Sequence, residues 1–365
     1  MLIEKSYMLS ERKKVRKYTV KILLFIVCIL VFASCGKDDS DNKSVTVNKP
    51  INVGFSQLGA ESDWRVANTD SIKSSLSREN GFNLLFDDAQ QKQDKQIMAI
   101  RNFTQQEVDC IVLAPVTETG WDTVLKEAKE AGVPVVVVDR RVDVENDSLF
   151  TAWVGSDFRR EAEVACKWLE SFIKAKGIEG SSLRIVDIQG TLGATAQIGR
   201  TDGLADACRE NGWQLLDCVP ADYTRAKGKE VMQSLLNKYS DINVVYCEND
   251  NEAEGAIEAI EEAGKKVGND IENGEILIIS FDAARSGLQL VLEGKIALDV
   301  ECNPLQGEEV EKLVRQVCSG GRYEKYTYVK ESVFSCDETV KTVMTDGEEL
   351  PITLLTDEIL AKREY

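Results

Sequence analysis

The chain has 365 residues, with 44 Lys and Arg against 62 Asp and Glu and a formal net charge of −18. That balance speaks against nucleic acid or an anionic surface as partner. There is no histidine, which removes the commonest general base, the commonest transition-metal ligand and every Ser-His or Cys-His nucleophile.

In chain order, the first segment carries processing information. Arg12, Lys13, Lys14, Arg16, Lys17 and Lys21 precede an apolar core from Ile22 to Phe32. That core is short against the roughly 20 residues of a comfortable membrane span, so residues 1–35 are expected to be an export signal. It closes on Phe32-Ala33-Ser34-Cys35-Gly36. Small residues before a Cys resemble a bacterial lipoprotein signal, in which Cys35 would be acylated and hold the mature chain on a membrane; the alternative is an uncleaved anchor helix. Residues 36–48 are polar and lack an apolar period, which predicts a flexible tether. Their Lys37-Asp38-Asp39 run resembles acidic signals that route some lipoproteins to the outer surface, and equally fits a solvated tether.

From residue 49 onward, apolar runs alternate with amphipathic stretches. Strands are expected at 51–56, 82–87, 110–114, 135–139, 183–189, 213–219, 244–247, 277–282 and 296–302. Helices are expected at 94–106, 121–131, 159–176, 227–239, 252–263 and 308–318. Strand, helix, strand repeated in this way predicts an α/β fold with parallel sheets covered on both faces, and Val135 to Val138 is the continuous apolar strand such a sheet needs. The series runs twice, before and after residues 148–154. The expectation is therefore two similar doubly wound lobes joined by a hinge, with a ligand cleft between their sheet edges. The first lobe takes 49–154 plus about 303–328, and the second takes 155–302 plus about 329–365.

Polar residues gather at the expected strand ends. Ser56 ends the first strand, Ser62, Trp64 and Arg65 follow it, and Asp139 and Arg140 follow the fourth. Arg200, Tyr223, Asn249 and Asp282 hold comparable places in the second series. Any one of them alone reads equally as a helix cap or a solvated charge. Together, an indole, a phenol, guanidinium forks and carboxylates suit a polyhydroxylated ring, which the flat faces stack on and the charged groups hydrogen-bond. The Gly190-Thr191-Leu192-Gly193-Ala194 turn lacks the features of a phosphate cradle and reads as a plain tight turn. No C-x-x-C pair supports zinc or redox chemistry, so neither metal nor cofactor is expected. Several cysteines, Cys110 and Cys247 among them, sit in apolar strand patterns as small hydrophobes, and Cys208 with Cys218 is the pair to test for a disulfide.

GFSQLGAESDWR, DDAQQKQDKQIMAIRNF, VDCIVLAPVTETGWDTVLKEAKEAGVPVVVVDRR, QGTLGATAQIGRTDGL, ADYTRAKGKEVMQSLL, VVYCENDNEAEGAIEAIEEAG and VECNP together resemble the type I periplasmic sugar-binding proteins of ABC transporters. The likeness covers about residues 50–340 and is nearest to the galactofuranose binders. It implies a monosaccharide ligand, a permease as partner, a monomer in the periplasm and no catalysis. It also implies ligand contacts from Trp64, Arg65, Asp139, Arg140, Arg200, Tyr223, Asn249 and Asp282, with Glu301 or Asn303 on the hinge side, where VECNP departs from the Gln of ribose binders. The tail from Lys341, with Thr345-Asp346-Gly347 as a turn signal, exceeds the family's usual ending.

Three rivals remain at this point. A sensor would use the same site but present the closed form to a receptor or kinase ectodomain. A glycoside hydrolase would use Asp139 and Asp282, but Arg140 beside Asp139 opposes the raised pKa that its acid needs. A transcription regulator with the same lobes is opposed by the export signal and the missing DNA-binding helices.

Overall fold

The computed structural model describes residues 49–365; the expected signal, the tether and Cys35 lie outside them. Two sheets organise these residues. The first runs Phe82–Asp88, Ile51–Gln57, Cys110–Leu113, Val135–Val138, Ala152–Gly155 and Tyr326–Tyr328, all parallel. The second runs Gln214–Pro220, Arg184–Gln189, Val244–Cys247, Glu275–Asp282 and Leu298–Glu301 in parallel, then antiparallel Val333–Ser335, then Thr353–Leu354; Lys266–Val267 pairs beside Glu275–Asp282. Numbered within its own lobe, each sheet begins 2-1-3-4-5. This is a doubly wound order, whose ligand crevice lies where strand direction of travel reverses. The two expected series are thus two parallel-sheet lobes of the same α/β design.

The strands are apolar on both faces because helices cover both. Val135 to Val138 are all buried, as expected of a central parallel strand. Ile111, Leu113, Val135 and Val137 pack under one helix layer, while Val112, Val136 and Val138 pack under the other with Val310, Leu313 and Val314 of helix Gly307–Cys318. Helix starts are capped by the polar residues that begin them. Ser62, Asp157, Thr224 and Asn249 each accept a backbone N–H from the first turn, satisfying donors that the helix cannot. No helix among the described residues is long and apolar enough to cross a membrane.

The tail is structured. Thr342–Thr345 and Glu348–Pro351 form a hairpin across Asp346 and Gly347, both at positive φ, which is the backbone a two-residue hairpin loop demands. Helix Asp357–Ala361 follows, and the chain end reaches back to Glu301: Tyr365 Oη and Arg363 Nη2 both donate to Glu301 Oε1. Cys208 and Cys218 are both free thiols, so that pair is not joined here.

Candidate functional site

The carboxyl ends of both sheets meet at a tight cavity with only about 20 Å³ of free space, far below the ~300–1,000 Å³ typical of small-molecule sites. Glu61, Ser62, Trp64, Arg65, Asp139 and Arg140 line it from the first lobe. Phe158, Ala196, Arg200, Tyr223, Asn249 and Asp282 line it from the second, and Cys302 from the segment that crosses between them. The lobes are closed around it. Asp63 N donates to Asn251 Oδ1 (3.2 Å), Arg141 N to Thr195 Oγ1 (2.7 Å) and Glu118 N to Gly193 O (2.9 Å) across the divide.

On the first-lobe wall two guanidiniums and two carboxylates interlock. Arg65 Nη2 donates to Asp139 Oδ2 at 2.6 Å and its Nε to Glu61 Oε1 at 3.1 Å. Arg140 Nη1 donates to Val116 O at 2.7 Å, and its Nη2 lies 3.5 Å from the same Glu61 oxygen. The sequence-adjacent Asp139 and Arg140 therefore pair with other partners. Asp139 sits at φ 61°, a left-handed turn that sends its side chain away from its neighbour's. Gly155 makes room for that turn: a Cβ there would stand 2.6 Å from Asp139 O. Burial pulls the Glu61 carboxyl up, but the charges of Arg65 and Arg140 outweigh it and hold the pKa below the ordinary value. Burial likewise works against the Arg65 charge, and Asp139 and Glu61 reverse it, so that guanidinium stays ionised.

On the second-lobe wall one guanidinium serves two acids. Arg200 binds Glu161 Oε2 (2.8 Å) and Asp282 Oδ1 (3.3 Å), and also donates to Glu248 O. Burial dominates both carboxyls: Asp282 is pushed up to about 6 and Glu161 to about 7, despite the Arg200 charge that lowers each. Tyr223 (φ 61°) and Asp282 (φ 100°) again have left-handed backbones, strain of a kind that collects at functional sites. Gly190 explains how Tyr223 fits, since a Cβ there would lie 1.9 Å from its ring. The glycine turn therefore serves packing. Asn249 caps its helix through Oδ1 and donates Nδ2 to Tyr223 O; it is a helix cap and a lining residue at once.

The aromatic faces are fixed. Trp64 Nε1 donates to Cys302 O, and Trp64, Phe158, Tyr223 and Cys302 share one small apolar cluster. Arg65 lies over Trp64 (4.6 Å) and Arg140 over Tyr223 (5.3 Å), so each ring is backed by a cation. Two polar atoms of the lining, Arg65 Nη1 and Tyr223 Oη, are buried without a protein partner.

Nine expected residues come together here: Ser62, Trp64, Arg65, Asp139, Arg140, Arg200, Tyr223, Asn249 and Asp282. Three expected residues lie outside the lining. Ser56 is fully buried beneath Gln96, whose Nε2 donates to Ser56 O. Glu301 is turned toward the tail, held by Tyr365, Arg363 and Ser332 N. Asn303 braces the crossing strands by donating to Lys330 O and accepting from Leu305 N. Conversely, Glu61, Phe158, Ala196 and Cys302 line the cavity without having been singled out. For Glu61 a signal existed: it lies four residues before Arg65, where an i, i+4 ion pair forms.

Comparison with known proteins places the chain in company. A family model described as "Periplasmic binding protein domain" matches residues 53–322. The galactofuranose-binding protein YtfQ of Escherichia coli is 38% identical over 80% of this chain and 91% of its own. A Mycobacterium smegmatis structure in complex with β-D-fucofuranose is 41% identical, with TM-score 0.73 over 78% of this chain and 91% of its own. The periplasmic component of the arabinose ABC transporter from Shewanella sp. ANA-3, bound to α- and β-L-arabinofuranose, is 38% identical, with TM-score 0.71 over 78% of this chain and 91% of its own.

Proposed function

The chain belongs to the periplasmic binding protein domain family, and from that premise we propose that it captures a monosaccharide in the furanose form, galactofuranose or a near relative, for an ABC sugar importer. Like its relatives it is a binder and not an enzyme. The observation that carries the reading is the pair of unpartnered buried polar atoms, Arg65 Nη1 and Tyr223 Oη, on residues that line one cavity from opposite lobes. An unmatched buried donor is unfavourable by about 1–3 kcal/mol, so such atoms mark where a ligand's hydroxyls complete the network. The furanose preference rests on three relatives at 38–41% identity whose descriptions all name a furanose sugar.

In this reading the lobes are 49–154 with about 303–328, and 155–302 with about 329–365, hinged where the chain crosses between sheets. Cys35 would carry a lipid anchor that keeps the protein on a membrane beside its permease; its change to Ser should release the protein or leave an unprocessed precursor. A thermal-shift screen against monosaccharides tests the ligand, because a molecule binding only the folded state raises its stability by RT ln(1 + [L]/Kd). Galactofuranose, arabinofuranose or fucofuranose should give the largest shift. A pyranose giving a larger shift than every furanose would refute the ring form, and no shift with any sugar would refute the function.

A further inference from the structure

Outside the cleft, one pair of thiols is brought together by elements far apart in sequence. Cys110 is the first residue of strand Cys110–Leu113, and with Val112 it faces the layer that holds Val310, Leu313 and Val314 of helix Gly307–Cys318. Cys318 follows Val314 by four residues, so it lies on the same helix stripe, one turn nearer that strand's start. Its Sγ donates to the carbonyl of Asp109 at 3.6 Å, the residue joined to Cys110. Cys110 is buried, whereas Cys318 is exposed and borders an open hollow at the end of the sheet opposite the cleft.

We infer that Cys110 and Cys318 form a disulfide that staples helix Gly307–Cys318 to the first sheet. Side by side, the thiols shift in opposite directions, Cys110 well above and Cys318 below an ordinary thiol, which makes the accessible sulfur the nucleophile. The Cys318 thiolate attacks one sulfur of an external disulfide, belonging to a thiol-disulfide oxidant of the exported compartment, and expels the other as a thiolate that takes up a proton. The Cys110 thiolate then attacks Cys318 Sγ in the mixed disulfide, forms the Cys110–Cys318 bond and releases the second thiol. The oxidant gains the two electrons that the cysteines lose. A chain exported to the periplasm meets conditions where such bonds form and persist. The bond would close a loop from 110 to 318 that contains residues 155–302 of the second lobe, and long loops restrict the unfolded chain most.

The test uses the full-length protein and oxidised glutathione. After incubation the protein is unfolded in alkylating agent without reductant, digested and mapped by mass spectrometry. A linked peptide pair carrying Cys110 and Cys318 is expected, lost on treatment with dithiothreitol. Reduction should lower the melting temperature on the order of 5 °C, and Cys110→Ser and Cys318→Ser should each abolish both the linked pair and the effect of reductant. A map in which Cys110 and Cys318 are alkylated separately after oxidation overturns the inference. So does a linked protein whose melting temperature ignores reductant, because the bond would then staple nothing.

Discussion

The two walls of the cleft use charge in opposite ways. On the first wall, Arg65 and Arg140 meet Glu61 and Asp139, two cations for two anions, and Glu61 is held ionised. On the second, Arg200 alone meets Glu161 and Asp282. Behind it burial also pushes up Asp187, Glu248, Asp250, Glu252 and Asp299. A balanced wall keeps its hydrogen-bonding pattern over the physiological pH range. A carboxyl-rich wall holds protons, and its pattern changes with pH. Both can grip hydroxyls, but only the second should make stability and binding depend on acidity near neutrality.

Removing the single cation of the second wall should break the comparison most severely. Arg200→Met leaves Glu161 and Asp282 buried without a counter-charge, a change worth about 3–5 kcal/mol of stability. Arg140→Met on the first wall should cost clearly less, since Glu61 keeps Arg65 at 3.1 Å. Urea unfolding of both variants checks the ranking, and equal losses would mean that the walls are not different in kind.

Trp64→Ala should weaken sugar binding by about 1–3 kcal/mol, because it deletes a stacking face. The indole N–H also ties the first lobe to Cys302 O at the crossing. Trp64→Phe keeps a flat face but loses that bond, so it should bind with intermediate affinity. Calorimetry in which Phe behaves like Trp would assign the whole effect to stacking.

Apo stability separates the walls by sign. Burial raises Asp187 from 3.8 to about 8 in the folded state, against weaker lowering by Thr201 and Cys218. A raised folded pKa means a contribution fully present below pH 3.8 and lost as pH rises through about 8. Glu61 works the other way: its lowered pKa contributes above the ordinary 4.5 and is lost as pH falls. Asp187→Asn should therefore stabilise the protein by about 1–2 kcal/mol at pH 8 and hardly at pH 4. A melting temperature raised equally at both pH values would point to packing instead of the proton.

Much of this arrangement was legible in the sequence, and the gaps have identifiable causes. Parallel strands with polar residues at their carboxyl ends announce themselves by continuous apolar runs, which is why Asp139, Asn249 and Asp282 could be read as strand-end residues, where they line the cavity. Who pairs with whom was not legible. Arg65 reaches Asp139 across 74 residues, while the positive φ at Asp139 parts it from adjacent Arg140. Ser56 lies off the lining for a different reason: in a strand covered on both faces, alternation does not say which face meets the cleft, and Gln96 closes over this one. Glu301 depended on Arg363 and Tyr365, and nothing local in VECNP reveals that a distant chain end will occupy its carboxylate. The reactive pairing of Cys110 with Cys318 was likewise hidden, since only the fold brings that helix stripe beside that strand.

The smallest effect bears most directly on the second wall as a binding surface. Asp282 is raised to about 6 by burial, and by Asp139 across the cleft, with Arg200 and Arg65 opposing. As a carboxylate it accepts hydrogen bonds from sugar hydroxyls, and charge-assisted bonds of this type are roughly twice as strong as neutral ones. Protonation adds a donor but forfeits that strength. If the ligand needs the ionised form, affinity should fall about tenfold between pH 7 and pH 5, about 1.4 kcal/mol, with the bend near 6. The first wall predicts no bend there, because Glu61 lies below its ordinary value of 4.5. Asp282→Asn should bind more weakly at pH 7 and show a flat profile, whereas Asp139→Asn should bind more weakly while keeping the bend. A bend that survives in Asp282→Asn would move the titrating group to Glu161, raised to about 7 on the same guanidinium, and a profile flat in the unaltered protein would remove the distinction between the walls as far as the ligand is concerned.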